Sequence, residues 1–403
     1  MEASPAAGEG LLSNESRALF GSQWSPWVGG ILLGLLNVLM FAYAKPWGVA
    51  EGVGNWGNWA LLGVGVPVGD QSPPWLFTTS VTNLGLIFGG LIAALLSRQF
   101  VFRLTTPRDM ARALFGGILL GIGSVLGMGC TIGGFFTAFS SLSLAGPVFM
   151  VGLLGGAYLG LRLLSWDLGR EAPRPPKLQP PRPPSAVDWR SHQPLIGSLL
   201  FLAAAAWLIS DATEFTYAGI TGKRSVLAFF GIALGIVSQR TRFCFARAFR
   251  EPYMTGDGSM TKAAALALLV GLIGFSVIKG SDLADLRDVE EFVNPSVWLG
   301  SLTGGLIFGV GMVLTGGCAS GSLWRVGEGQ FKFVVVLAAF ALTNAGLGFY
   351  LRVSRARTAW GEEAYFLPKL IGWPGAILGL AALAAVWYLL AAWNEKSEKL
   401  VVP

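Results

Sequence analysis

The sequence predicts an all-α, polytopic transmembrane protein made of two pseudo-symmetric, inverted halves, with helices that break or re-enter at glycine–cysteine motifs. Three observations predict it: long apolar runs, scarce charge, and a Gly-Cys segment that occurs twice. Of the 403 residues 53% are hydrophobic and only 13% charged, about half the charge of a typical soluble domain. The mean hydropathy is +0.58. Apolar runs at 75–96, 111–126, 146–164, 194–209, 263–278, 298–314, 333–351 and 368–393 approach or exceed the roughly 20 residues that span a hydrocarbon core. The 56 Gly and 15 Trp fit closely packed membrane helices with aromatic residues at the interfaces.

The elements follow in order. Residues 1–22 read as a polar tail, without the basic start and short apolar stretch of a cleaved signal peptide. Residues 23–170 form a first membrane repeat. A connector at 171–194 carries eight prolines among basic and polar residues, a composition that favours an extended, semi-rigid chain. A second membrane repeat spans 195–395, and 396–403 is a C-terminal tail. The repeat is visible when 116–134 (GGILLGIGSVLGMGCTIGG) is set against 304–322 (GGLIFGVGMVLTGGCASGS). Nine of the nineteen positions are identical, and Cys130 falls on Cys318. Six of those nine are glycine, so the cysteine and the shared Val-Leu carry the argument for duplication. A fainter echo pairs GILLGLLN at 30–37 with GIALGIVS at 231–238. Inverted repeats with the substrate at their interface are a common transporter plan.

The net charge is +6, but the basic residues cluster between apolar runs instead of forming a stripe, which argues against nucleic acid as a partner. Arg98, Arg103, Arg108 and Arg112 follow one run, and a second group lies near 170–190. Placing both groups in the cytoplasm obeys the positive-inside trend and brings the two Gly–Cys segments in from opposite faces. Arg352, Arg355 and Arg357 then fall outside, against that trend.

The chemistry sits at the cysteines. Gly127, Gly129, Gly133 and Gly134 surround Cys130 and Thr131, and Gly316, Gly317 and Gly321 surround Cys318 and Ser320. Such glycine clusters weaken a helix, and unwound backbone survives at membrane depth only inside protein or beside a cavity. The half-helix that follows points its free N–H groups inward, an arrangement suited to an anion. Cys244 lies between Phe243 and Phe245 and among Arg240, Arg242, Arg247 and Arg250. The arginines raise the local concentration of an anion, and the apolar flanks keep the thiol neutral, able to donate a weak S–H hydrogen bond. Candidate pathway residues are therefore Cys130, Cys244, Cys318, Gly129, Thr131, Gly133, Gly317, Ser320, Arg242 and Arg247. No metal site or cofactor is expected, since the one His, His192, lies in the connector and no C-x-x-C pair exists.

At these residues the chain resembles the YeeE/YedE family of bacterial membrane proteins. The resemblance rests on RFCFARAFR at 242–250, GCTIGG at 129–134, GGCASGSLWRVGEG at 316–329 and KPWG at 45–48. Two features depart from the family's thiosulfate transporters: the Arg-Phe-Cys-Phe element lies in the second half, and Thr131 and Ala319 follow the cysteines where Asn is familiar. The resemblance implies an inner-membrane transporter that hands thiosulfate, or a related inorganic sulfur anion, along three cysteines by S–H···S contacts. It also implies a cytoplasmic sulfur-carrier partner. Selenium-compound transport within the same family is one alternative. A membrane sulfurtransferase carrying a persulfide on Cys244 is the other, and it requires an activated thiol.

Overall fold

The computed structural model describes residues 20–170, 189–217, 220–281, 293, 299–354 and 364–402. The chain is mostly helical, and among the described residues ten segments are long and apolar enough to cross a membrane. It is a multi-pass membrane protein. Eight of the ten fall on the runs expected from sequence. The others are Pro26–Tyr43 and Arg224–Met254, the second of which contains the RFCF element.

Among the described residues seven helices precede a hairpin: α1 (Pro26–Tyr43), α2 (Ala50–Gly63), α3 (Thr78–Leu96), α4 (Pro107–Leu126), α5 (Thr131–Thr137, π-helical, continuing α-helically over Ala138–Ser140), α6 (Ala145–Gly169) and α7 (Trp189–Ser210). Strands β1 (Glu214–Tyr217) and β2 (Ile220–Lys223) then pair antiparallel. Among the described residues seven helices follow: α8 (Arg224–Thr241), α9 (Phe245–Met254), α10 (Ser259–Gly280), α11 (Leu299–Thr315), α12 (Ala319–Gly327), α13 (Lys332–Val353) and α14 (Leu367–Ser397). Helix starts follow local chemistry. Ser25 and Thr106 cap α1 and α4 with side-chain oxygens, each ahead of a proline in the first turn, where the missing N–H costs nothing.

Two details add to the expected helical plan. The hairpin interrupts the all-α pattern; its alternating β-branched and aromatic residues (EFTYAGITGK) carried the signal. The second detail lies at the end of the expected connector at 171–194. Residues 171–188 lie outside the described residues, but α7 already begins at Trp189 and includes His192. Buried Gln193 anchors that first segment through Nε2 to the Phe100 carbonyl at 2.9 Å. Of the basic group Arg352, Arg355 and Arg357, only Arg352 is described.

The halves interlock instead of standing side by side. The closest helix pairs cross between them: α3 with α8, α6 with α11, α4 with both α11 and α13, and α1 with α10. Glycine permits this. Gly85 and Gly89 of α3 meet Gly231 and Gly235 of α8 so closely that a Cβ on Gly89 would lie 2.1 Å from the Ile232 carbonyl oxygen. Gly152 and Gly156 of α6 meet Gly305 and Gly309 of α11 in the same way, with 2.1 Å from Gly156 to the Leu306 oxygen. Each of these four pairs has the small-xxx-small spacing that brings membrane helices into contact where hydrophobicity supplies no drive.

The hairpin is pinned outside the membrane segments by Asp211, which accepts hydrogen bonds from Arg224 Nη2 at 2.7 Å and Nε at 3.0 Å. Those bonds hold the Asp211 carboxyl below its usual range. A depressed carboxylate stabilises the fold above its unfolded pKa, about 3.9, and the contribution is lost as pH falls through the lower folded value. Amide exchange across Ile220–Lys223 should therefore accelerate only below about pH 4, and in Asp211→Asn at neutral pH. Equal exchange in the variant and the parent would contradict the pinning.

Candidate functional site

Each cysteine occupies the same local structure. A long helix ends in a left-handed residue two positions before the cysteine: Met128 (φ +51), Arg242 (φ +54) and Gly316 (φ +77). Closing bonds run from Gly129 N–H to Ser124 O at 2.9 Å and from Phe243 N–H to Ser238 O at 3.1 Å, the pattern that terminates helices with a left-handed cap. Left-handed Met and Arg cost roughly 1–3 kcal/mol each, strain that persists where surrounding structure enforces it. The cysteine itself is extended and begins the next half-helix. Cys130 Sγ accepts from Ile132 N–H and Cys318 Sγ from Gly321 N–H, both at 3.4 Å. The thiols of Cys130 and Cys318 thus stand where Ser or Asp usually caps a helix, whereas Cys244 makes no such bond.

Four half-helices point N-termini into the interior. Those of α5 and α2 converge on Cys130, whose sulfur is faced by the N–H groups of Ile132, Gly133 and Ala50. Those of α9 and α12 carry Cys244 and Cys318, whose sulfurs lie 3.8 Å apart. Ser320 Oγ is 3.4 Å from Cys318 Sγ. Thr131, the residue after Cys130, adjoins the Cys318 thiol, although no hydrogen bond joins Cys130 to either other sulfur among the described residues. All three cysteines are buried. Phe135, Phe136 and Phe243 pack around the ring of Phe245, with centroids 5.2–5.9 Å away.

The remaining sequence candidates divide by surroundings. Gly133 borders open space, whereas a Cβ on Gly129 would meet the Gly134 nitrogen at 2.4 Å and one on Gly317 would meet Arg325 Nη1 at 2.7 Å. Arg242 is held by Glu328 at 2.6 Å and by Gln99 at 2.7 Å. Arg247 is held by Glu251 at 2.6 Å. Buried Arg240 donates to the Ser22 carbonyl. The cation that reaches a thiol is one that sequence reasoning passed over: Arg325 Nη1 lies 3.7 Å from Cys244 Sγ. Arg250 and Lys332 lie beside Gly316, and buried Arg250 Nε has no partner among the described residues. Arg325 had a signal in the sequence: it lies in the GGCASGSLWRVGEG run at 316–329, seven residues after Cys318 and therefore two helical turns along the same face.

Charge separates the two ends of the bundle. Arg103 pairs through its backbone with Gly329 and Phe331, and Gln99 contacts Gln239 and Arg242. The basic segment 98–112 therefore shares an end with Arg242, Arg325 and Lys332. At the opposite end a cavity of about 370 Å³, lined by Gly48, Glu51, Asn55, Gly129, Gly133 and Arg352 among others, leads to the turn carrying Cys130.

Comparison with known proteins agrees with this architecture. A family model described as sulphur transport matches residues 5–159 and 240–402. The probable transporter YedE of Escherichia coli K12 is 27% identical over 398 residues, covering 94% of this chain and 95% of its own. The thiosulfate transporter TsuA of Spirochaeta thermophila is 33% identical over 185 residues, 41% of this chain and 53% of that protein. TsuA of Escherichia coli is 39% identical over 116 residues, 28% and 31% of the two chains. With the match covering most of its length, the chain belongs to the sulphur-transport family of membrane transporters.

Proposed function

We propose that this transporter takes up thiosulfate, or a closely related inorganic sulfur anion, across a bacterial inner membrane by way of Cys130, Cys318 and Cys244. The observation that carries the reading is the recurrence of one device: an extended cysteine at the inward N-terminus of a half-helix, found at all three thiols. A half-helix N-terminus offers N–H groups and positive dipole to the oxygens of an anion. A thiol offers a polarizable S–H donor to the terminal sulfur of thiosulfate, an atom that sulfate lacks. The TsuA proteins, named as thiosulfate transporters, match parts of this chain, which favours thiosulfate over a selenium compound.

Placing the basic end in the cytoplasm, as the positive-inside trend requires, puts the cavity near Cys130 outside. The anion enters there, meets the α2 and α5 N-termini, passes Thr131 and reaches the paired thiols of Cys318 and Cys244. Ser320 and the glycines 129, 133 and 317 shape the passage. Arg325 and Arg250 draw the anion toward the inner end. Arg242 and Arg247, held by carboxylates, brace that end. A cytoplasmic sulfur-carrier protein is the receiver at this face. Each station binds weakly, since a conducting site must release its ion.

An inverted repeat of 23–170 and 195–395 underlies the path. The packing of α1 on α10 answers that of α8 on α3, and α4 on α13 answers α11 on α6, which supports equivalence of α1, α3, α4 and α6 with α8, α10, α11 and α13. Half-helices α2 and α5 then correspond to α9 and α12, so the outer station has one thiol where the inner has two. The test is uptake of radiolabelled thiosulfate in a strain lacking its own sulfur-anion transporters. Unlabelled thiosulfate should compete, and sulfate, sulfite and selenite should compete weakly or not at all. Equal competition by sulfate would remove the soft sulfur as the recognised feature.

A further inference from the structure

The outer cavity has a second wall, chemically unlike the thiol end. Glu51, Asn55 and Asn58 lie on one face of α2 at i, i+4 and i+7, and all three line the cavity. Asn55 is 3% exposed. The orientation of each amide is fixed by neighbours that can only accept. Asn55 Nδ2 donates to the Ser72 carbonyl at 3.0 Å. Gln71 Nε2 donates to the Val68 carbonyl at 3.4 Å, which turns Gln71 Oε1 toward Asn58 Nδ2 at 3.0 Å. Flipping either asparagine would set an oxygen against an oxygen. Asn55 Oδ1 and Asn58 Oδ1 are thereby left buried and without a hydrogen-bond partner among the described residues, a costly condition for an amide oxygen.

We propose that Asn55, Asn58 and Glu51 form a binding site for a hard monovalent cation, sodium in the first instance, in the same cavity that leads to Cys130. The donor set is oxygen only, two neutral amides and one carboxylate, which suits a hard cation and not a soft metal. One carboxylate, itself 3.4 Å from Lys45 Nζ, carries too little charge to favour calcium, whose sites are built from several carboxylates. An amide oxygen cannot donate a hydrogen bond, so these two atoms offer an anion nothing. Gly129 and Gly133, beside the thiol of Cys130, line the same cavity. A cation on α2 and an anion at the α2 and α5 N-termini would attract one another. Binding of either would strengthen the other equally. This coupling rests on the anion-uptake reading, in which a dianion moves inward against an inside-negative potential unless positive charge travels with it. The cation site itself rests only on the oxygens.

The test uses the full chain purified in detergent, titrated with sodium chloride against choline chloride at constant ionic strength and followed by calorimetry and by tryptophan fluorescence, to which Trp56 and Trp59 of α2 contribute. Saturable sodium binding is expected in the absence of any sulfur anion. Asn58→Asp, which adds a charge to the oxygen set, should tighten it by about tenfold, and Asn55→Ala should weaken it by about tenfold. A circular-dichroism melt checks that both variants fold. Added thiosulfate should lower the apparent sodium constant severalfold. No saturable sodium signal in either the parent or Asn58→Asp would overturn the cation site. Sodium binding with no thiosulfate binding at all would leave the site standing and remove the thiosulfate reading instead.

Discussion

Cys318→Ala should abolish growth on thiosulfate as sole sulfur source while the protein still inserts and purifies as the parent does. The substitution removes one of two sulfurs 3.8 Å apart and the acceptor for the Gly321 N–H. Loss of one polar contact to a buried charged ligand is worth about 1.5–3 kcal/mol, roughly a tenfold to hundredfold fall in rate at that station. Loss of the cap costs the fold about 1 kcal/mol. Cys318→Ser separates the two effects, because a hydroxyl caps at least as well as a thiol but is a hard donor. Low uptake with a parental melting curve would assign the role to sulfur. Cys130→Ala and Cys244→Ala should behave alike, and undiminished uptake in all three would refute the relay.

Gly321→Ala should impair transport nearly as much without removing any sulfur. A Cβ at this position would fall 2.6 Å from Cys244 Sγ and 3.4 Å from Cys318 Sγ, wedging the paired thiols apart. The surrounding helices bring Arg325 within 3.3 Å of the same point, so relief by movement is limited and the overpacking costs about 1–3 kcal/mol of stability. Gly379→Ala is the control, since nothing lies within 4 Å of the added carbon. Uptake should be unchanged there, and the melting temperature should not fall, since Ala favours a helix over Gly. Normal uptake in Gly321→Ala would mean that the closeness of the two thiols is incidental.

Much of this molecule is legible in the sequence, and what is hidden has a physical reason. Spans such as Thr78–Leu96 and Leu367–Ser397 announce themselves because hydropathy is additive over a window. The glycine clusters identify the turns at Cys130 and Cys318, since glycine there is required for close approach and, at Gly316, for a left-handed backbone. The left-handed Met128 and Arg242 were not legible, because nothing in either residue type asks for that conformation. It is imposed by the surrounding helix ends. The roles of Arg242 and Arg325 could not be told apart either. Both are arginines near a cysteine, and only the partner Glu328, 86 residues further along the chain from Arg242, decides which one is held away from the thiols. The oxygens of Asn55 and Asn58 were silent for the same reason: whether an amide is satisfied depends on Ser72, Gln71 and Val68 arriving beside it.

The most direct measurement is a cryo-electron microscopy map of the transporter in lipid nanodiscs with saturating thiosulfate, compared with one in sulfate. Density for the anion should appear at the converging N-termini of α2 and α5 beside Cys130, and again between Cys318 and Cys244, in the thiosulfate map alone. Anion density confined to the basic face, or sulfurs of the three cysteines found turned toward lipid, would contradict the account.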